Sequence, residues 1–127
     1  MREILFRGRR VDNGLWVHGT LFSISDAHNP FIMLENQHGF SEQVFRETVG
    51  QYTGLKDCKG VRIFEGDIVS CADVSDDDYI GKVVFDCEAW FIVGENYGDS
   101  LYMANRIHRL CVIGDVFNNP ELIGLEE

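Results

Sequence analysis

The chain has 127 residues, of which 45% are hydrophobic and 25% charged, which is the composition of a folded domain rather than of a disordered chain. Its formal net charge of −10 repels nucleic-acid phosphates at long range and disfavours non-specific nucleic-acid binding. No apolar run approaches the ~20 residues of a membrane-spanning helix, and arginines interrupt the N-terminal apolar residues, so we expect a cytoplasmic protein without a membrane partner.

The negative charge is concentrated in the second part of the chain. Residues 1–50 contain five Lys and Arg against six Asp and Glu, a net of −1, whereas residues 51–127 contain six against fifteen, a net of −9. Four of the five early cations are arginines within the first ten residues. A locally basic N-terminal segment therefore precedes an acidic remainder.

Residues 3–22 have the pattern of a β-hairpin. Two apolar segments flank Asn13-Gly14, and this dipeptide is typical of a two-residue type I′ turn, because both turn positions need a positive φ. The two-residue loop pairs Arg9 with His18. Arg7, Arg9, His18 and Thr20 then share one face of the hairpin, and apolar side chains occupy the other.

Further short apolar segments follow, separated by glycine-containing turns. We predict strands at residues 31–35, 43–49, 61–64, 68–71, 81–86, 90–94 and 110–117. Residues 95–108 lack a regular pattern and leave room for a short helical turn. Asn119 is predicted to cap one closing helical turn, and Pro120 suits the first position of that turn.

These elements predict an all-β fold of short strands, since no segment has sustained helical periodicity. A sheet needs closure or a cover to protect its edges, so we expect barrel-like packing. The residue pattern changes near residue 50 without a flexible linker. We therefore predict an N-terminal hairpin and sheet region, residues 1–49, and a C-terminal region, residues 50–127, with a soft boundary that also permits one compact unit.

The cysteines and histidines form no recognisable metal-binding or catalytic motif. Cysteines occur at positions 58, 71, 87 and 111, and no two have the Cys-x-x-Cys spacing of a zinc site. In a reducing cytosol we expect free thiols, and Cys71 and Cys87 lie in apolar segments that predict burial. The histidines are dispersed, and no glycine-rich loop leads into a helix. We expect no metal and no cofactor.

Three separated motifs occur in order along the chain: residues 4–8 with 14–17, residues 53–57 with 60 and 63–69, and residues 112–117 with 119–122. Together they resemble the YopX family of phage and prophage proteins over nearly the whole length. The motif residues that we single out, with structural roles expected for them, are Gly54, Leu55, Asp57, Gly60, Glu65, Gly66, Asp67, Gly114, Asn119 and Pro120.

The resemblance implies an all-β protein whose C-terminal part, residues 50–127, is an SH3-like small barrel. It also implies a phage or integrated-prophage origin in a bacterial host. It supplies no activity and no catalytic residue. The chain departs from the family pattern in its loops, mainly at residues 72–79 and 95–108.

Two acidic segments invite a metal-binding interpretation. Carboxylates on both sides of Gly66 could hold a divalent cation, but a structural role is favoured, because Gly66 permits a tight turn and Asp67 can accept backbone N–H bonds within it. The second segment lacks the ligand spacing of an EF-hand and is predicted to be a solvated loop that offers an acidic contact surface. Its carboxylates are Asp73, Asp76, Asp77 and Asp78.

A second candidate surface is the hairpin face, with Arg7, Arg9, Arg10, Trp16 and His18. Arginine beside an aromatic ring can bind a phosphate backbone or an unstacked base. The same cations can instead pair with the acidic C-terminal half, within one chain or between subunits. The internal charge asymmetry favours this second interpretation.

These features favour a non-enzymatic module that binds a protein partner or copies of itself. One alternative is a small nucleic-acid-binding barrel that uses the arginine-rich hairpin, although the net charge makes a nucleic-acid partner the less favoured one. Another is an acidic decoy of a host protein. An enzyme ranks last, because no nucleophile, base and orienting group are visible as a set.

Overall fold

The computed structural model describes residues 4–22, 29–37, 39–72, 79–94, 98–107 and 109–124. The chain divides into two compact units, Met1–Tyr52 and Thr53–Glu127. Most of the described residues lie in antiparallel strands, and the one α-helix among them has seven residues. The predicted all-β class is therefore confirmed.

The N-terminal unit is an antiparallel sheet with the strand order β4-β3-β2-β1-β5. Its strands are β1 (Phe6–Arg9), β2 (Trp16–Phe22), β3 (Phe31–Leu34), β4 (Ser41–Gln43) and the first part of β5 (Gly50–Lys56). Ile32 and Val44 are fully buried, and Leu5 and Tyr52 are nearly so. These side chains make up the apolar interior of this unit.

The predicted hairpin is present as β1 and β2, but its predicted register is wrong by two residues. Arg9 pairs with Trp16 and Arg7 pairs with His18, so the connecting loop is longer than the expected two residues. A shift of two residues preserves the alternation of the two faces. Arg7, Arg9 and His18 therefore still share one face, as predicted.

The hairpin loop shows why the register differs. Gly14 has a positive φ of 74°, but Asn13 does not, so the two do not form a type I′ turn. The side-chain Oδ1 of Asn13 instead accepts a hydrogen bond from the N–H of Leu15 at 2.9 Å. This local bond favours a turn of a different type. The strand pairing therefore begins at Arg9 and Trp16, farther from the turn than predicted.

Residues 43–49 were predicted as one strand and instead comprise the end of β4 and a 3₁₀ turn, Arg46–Thr48. The hydroxyl of Thr48 donates to the carbonyl of Phe45 at 2.6 Å and accepts from the N–H of Arg9 at 2.9 Å. A hydroxyl that bonds to nearby backbone competes with strand pairing. The segment therefore turns, and Thr48 supports β1 from the side.

The C-terminal unit contains a five-stranded antiparallel sheet of order β10-β9-β8-β7-β11, and β6 lies beside the end of β5. Its elements are β6 (Arg62–Phe64), β7 (Asp67–Ala72), β8 (Tyr79–Asp86), β9 (Ala89–Val93), β10 (Gly98–Ser100), α1 (Leu101–Ile107), β11 (Arg109–Asp115) and a 3₁₀ turn, Pro120–Ile123. The predicted closing helical turn is confirmed, with Pro120 at its start.

One face of this sheet forms the core of the C-terminal unit. The core side chains are at most 1% exposed and come from the sheet, from β6 and from α1: Ile63, Val69, Cys71, Val83, Ile92, Leu101, Ala104 and Leu110. The helix thus lies within the segment that was predicted to be irregular. Its Leu101 and Ala104 are three residues apart, which places both on the same side of the helix.

Strands β8 and β9 are joined by Cys87-Glu88, two residues that both have a positive φ, 49° and 63°. This is the combination that a type I′ turn requires, although neither residue is glycine or asparagine. Cys87 is exposed in this turn, so its predicted burial is wrong. The burial predicted for Cys71 is confirmed.

The described strands do not close into a barrel, so the predicted closure is not found among them. The outer edge of β11 is covered instead by the turn that follows β5. The N–H of Cys58 donates to the carbonyl of Leu110 at 2.9 Å, and the N–H of Val112 donates to the carboxylate of Asp57 at 2.9 Å. An edge whose backbone groups are satisfied this way does not need a further strand.

Asp57 also forms the turn that it belongs to. Its Oδ1 accepts hydrogen bonds from the N–H groups of Lys59 at 2.8 Å and Val61 at 2.9 Å, while Gly60 adopts a φ of 82°. A three-residue hairpin loop that ends in a left-handed glycine is a common connection between strands. The buried carboxylate therefore joins the β5–β6 turn to the edge of β11.

Two further buried carboxylates organise turns in the same unit. Asp67 accepts the N–H of Phe64 at 2.8 Å, and Gly66 between them has a φ of 90°, which confirms the turn role that the sequence favoured. Asp115 accepts the N–H groups of Phe117 and Asn118, both at 2.9 Å. These family-motif carboxylates act as backbone acceptors.

The cap predicted for Asn119 is wrong, because its side chain makes no bond to the closing turn. Its Oδ1 accepts the N–H of Asp115 at 3.3 Å instead. A Cβ at Gly114 would lie 2.5 Å from the same Oδ1. The asparagine therefore folds back onto the end of β11, and Gly114 leaves the space for it.

The variant Asp57→Asn is expected to lower the free energy of unfolding by about 1–3 kcal/mol, because its amide nitrogen must face an N–H donor where the carboxylate accepted one. Urea unfolding followed by circular dichroism measures this loss. Asp86→Asn, which changes an exposed carboxylate in the same unit, is the matched control and is expected to have almost no effect. Equal stability of the two variants would contradict the role assigned to Asp57.

The effect of Asp57→Asn is also expected to depend on pH. Burial opposes ionisation of Asp57, but the N–H donors of Val112, Val61 and Lys59 outweigh it and hold the pKa of this carboxyl below its usual value. A lowered folded-state pKa stabilises the fold above the unfolded value of about 3.9, and the contribution is lost as the pH falls through the folded pKa. The stability difference between parent and Asp57→Asn should therefore shrink on acidification, whereas a difference independent of pH would contradict this account.

Candidate functional site

The arginine-rich hairpin face is partly interior. Arg7 is only 7% exposed, and its guanidinium carbon lies 4.3 Å from the centroid of the Trp16 ring. A cation over an aromatic face is a stabilising contact, and it is stronger where water is excluded. The prediction that Arg7 and Trp16 lie together is confirmed. Arg7, however, belongs to the interior of the N-terminal unit and not to an exposed surface.

The neighbouring arginines bond to groups within the same unit. The Nε of Arg9 donates to the carbonyl of Gly14 at 3.0 Å. Arg10 donates to both carboxylate oxygens of Asp12, at 2.9 and 2.7 Å, and lies 3.2 Å from Glu42. The hydrogen bond from Arg10 lowers the pKa of Asp12. The acidic partners of Arg10 are therefore in the N-terminal unit and not, as predicted, in the C-terminal half.

A shallow cavity of about 280 Å³ lies beside this hairpin. Arg10, Trp16 and His18 line one part of it, and Glu35 and Glu42 line another. Carboxylates on the wall repel phosphate oxygens and offset the attraction of the single arginine there. The cavity therefore does not have the basic lining of a phosphate-binding groove.

The predicted acidic contact surface, Asp73, Asp76, Asp77 and Asp78, lies outside the described part of the chain, and its role stays a prediction. His28, His38 and His108, for which no site was predicted, lie outside it too. Within the described part, no three His, Cys, Asp or Glu side chains are grouped so as to hold a metal ion. The same residues include no helix with the length and apolar character needed to cross a membrane.

The outer face of the C-terminal sheet, opposite its core, carries apolar side chains. Val83 and Ile92 pair in the core, so the alternate residues of β8 and β9 point to the outer face. Val84 lies directly opposite Phe91 there. Sequence reasoning missed this face, although the nearly continuous apolar residues of these two strands are typical of strands covered on both sides.

Part of the outer face is covered by the segment that follows β11, at Asn119. Ile68 points to this face and is fully buried, and its partner Gly114 lies against the side chain of Asn119. Farther along the same face, Ile80 and Val93 are 39% and 38% exposed. We call the part of the outer face around these two residues the outer patch, and it consists of the exposed Ile80 and Val93 and the half-buried Lys82, Val84 and Phe91.

Two cysteines that are distant in sequence meet at the edge of the same sheet. The Sγ atoms of Cys58 and Cys111 are 2.7 Å apart although 53 positions separate the residues. The hydrogen bond from Cys111, and after it the one from Arg109, lowers the pKa of the Cys58 thiol. The same bond raises the pKa of Cys111. The thiols are free, as predicted, but nothing in their spacing indicated that they meet.

The fold occurs in a protein of known structure. The crystal structure of protein EF1440 from Enterococcus faecalis is similar to this chain with a TM-score of 0.63 and 21% sequence identity. The similarity covers 97% of this chain and 99% of that one, and it shows a shared fold. No curated protein matches the sequence.

The family is shown by the sequence itself. The family model described as YopX protein matches residues 5–124, which is nearly the whole chain and includes all three motifs apart from residue 4. The buried carboxylates and left-handed glycines of these motifs form three turns of the C-terminal unit, at Asp57, Asp67 and Asp115. The chain belongs to the YopX family.

Proposed function

We propose that this protein is a non-enzymatic protein-interaction module and that the outer patch is its binding surface. The observation that carries the proposal is the apolar surface formed by the exposed Ile80 and Val93 with the half-buried Val84 and Phe91, on the face that Asn119 covers farther along. The proposal places the module in the cytoplasm of a bacterial host and gives it a phage or prophage origin. An apolar centre with a polar surround is the usual anatomy of a protein interface.

The geometry of the outer patch suits a protein partner. Val84 and Phe91 are directly opposite on neighbouring strands, and Val93 lies opposite Lys82. Their side chains form one continuous surface on strands whose backbone is fixed by the sheet. Contiguous exposed apolar side chains on a folded protein commonly mark a site of interaction, whereas single ones do not.

The net charge around the outer patch favours a different protein, rather than a second copy of this chain, as the partner. Residues 51–127, which supply the whole patch, carry a net charge of −9. Two copies meeting through this face would bring two such charges together, and like charges across an interface are costly. We therefore expect a protein that presents apolar side chains surrounded by Lys and Arg.

The hairpin gives less support to nucleic-acid binding. Arg7 is buried, Arg10 pairs with Asp12 and Glu42, and carboxylates line the adjacent cavity. Few positive charges are left there for a phosphate backbone. This argues for the apolar surface as the site of contact.

The double variant Ile80→Glu with Val93→Glu tests the proposal. The full chain is used to capture proteins from host-bacterium lysate after nuclease treatment, and the captured protein is purified and titrated against each variant by calorimetry. We expect the double variant to weaken Kd by about tenfold or more, which corresponds to about 1.4 kcal/mol. An unfolding temperature close to that of the parent shows that the double variant retains its fold.

Val61→Glu is the matched control, because Val61 is an exposed apolar residue of the same unit outside the outer patch. Its Kd should stay close to that of the parent. Equal binding by the double variant and the control would place the interface elsewhere and overturn the proposal. Captured material that disappears with nuclease would indicate nucleic acid, and self-association that the double variant abolishes would indicate a second copy; either result also overturns it.

A further inference from the structure

The cysteine pair at the edge of β11 is held by backbone contacts on both sides. Cys58 is in the turn fixed by Asp57, and its N–H bonds to the carbonyl of Leu110, the residue before Cys111. Cys111 pairs with Ser70 within the sheet. The two sulfurs are thus kept together by rigid elements, at 2.7 Å, so less than about 1 Å of approach separates them from disulfide bonding distance.

The surroundings of the pair give the two thiols different roles. Cys58 is exposed, whereas Cys111 is half-buried. Arg109 lies beside Cys58 and is a hydrogen-bond donor to its sulfur, which favours the thiolate. The accessible sulfur is therefore also the better nucleophile, and the less accessible sulfur lies directly behind it. This is the arrangement of an attacking and a resolving cysteine.

We propose that Cys58 and Cys111 form a dithiol site that reacts with low-molecular-weight disulfides and closes to an intramolecular disulfide. The site is independent of the outer patch and does not rest on the proposed function. The two thiols are free in the structure, and this dithiol form is the starting form of such a site.

The reaction consists of two thiol–disulfide exchanges. The Cys58 thiolate attacks one sulfur of a disulfide RSSR, a bond forms between Cys58 Sγ and that sulfur, and RS⁻ leaves and takes up the proton lost by Cys58. Cys111, as thiolate, then attacks Cys58 Sγ and expels the second RS⁻, which takes up the proton lost by Cys111. Two protein thiols are oxidised to one disulfide, and RSSR is reduced to two RSH.

Closure of this disulfide adds a covalent bond to a place that is otherwise held by hydrogen bonds. It ties the β5–β6 turn to β11 across 53 positions of the chain. A cross-link that closes a long loop restricts the unfolded chain, so the oxidised form should unfold at a higher temperature than the reduced one. The site therefore couples the redox state to the stability of the C-terminal unit.

Glutathione disulfide is the probe for the experiment, added to the reduced full chain and followed by mass spectrometry with peptide mapping. We expect the parent to lose two hydrogens and to yield a peptide that joins Cys58 to Cys111. Cys111→Ser should instead accumulate a glutathione adduct on Cys58. Cys87, an exposed thiol in the same unit, is the internal reference, and Cys58 should react about tenfold faster or more.

Two results would overturn the proposal. One is a parent chain in which Cys58 and Cys87 acquire glutathione at equal rates and no Cys58–Cys111 peptide forms. The other is a glutathione adduct on Cys58 of the parent that persists, as in Cys111→Ser, without forming the joined peptide. Because the parent is tested by peptide mapping without any substitution, the first result is independent of whether a variant folds.

Discussion

The C-terminal unit depends on one buried carboxylate. Asp57 accepts hydrogen bonds from the backbone of Lys59 and Val61, which shapes the turn between β5 and β6, and from Val112, which satisfies the outer edge of β11. A carboxylate can accept several such bonds at once, which no apolar or donor side chain can do. The edge is therefore protected without a closed barrel, and the position of Cys58 beside Cys111 follows from the same turn.

Much of the fold was predictable because local residue patterns determine it. Alternating and apolar segments gave the strands, and a shift of two residues in the first hairpin left its faces intact. The register itself was wrong because the Asn13 side chain accepts the N–H of Leu15, so that Asn13 and Gly14 form a turn of another type. The hairpin loop competes with tertiary contacts, including the bond from Arg9 to Thr48 and the packing of Val44 against Gly8. A pattern within ten residues does not contain those contacts.

The candidate sites were less predictable, because they are assembled from residues that are distant in sequence. Cys58 and Cys111 come together only when the β5–β6 turn is placed against the edge of β11. The outer patch requires knowledge of which strands are neighbours and of where the chain end lies. The arginine cluster was visible in the sequence, but the burial of Arg7 and the pairing of Arg10 were not, since both depend on side-chain direction.

The turn between β8 and β9 has a consequence for how this hairpin forms. Cys87 and Glu88 both adopt left-handed backbone conformations, which cost roughly 1–2 kcal/mol for each non-glycine residue. Such a turn favours its hairpin less than a turn of glycine or asparagine would. Phe85 and Trp90, the second residue pair outside it, have ring centroids 4.8 Å apart and supply the compensating contact. The hairpin is therefore closed by its aromatic pair, and the turn is drawn into its conformation by the strands on either side.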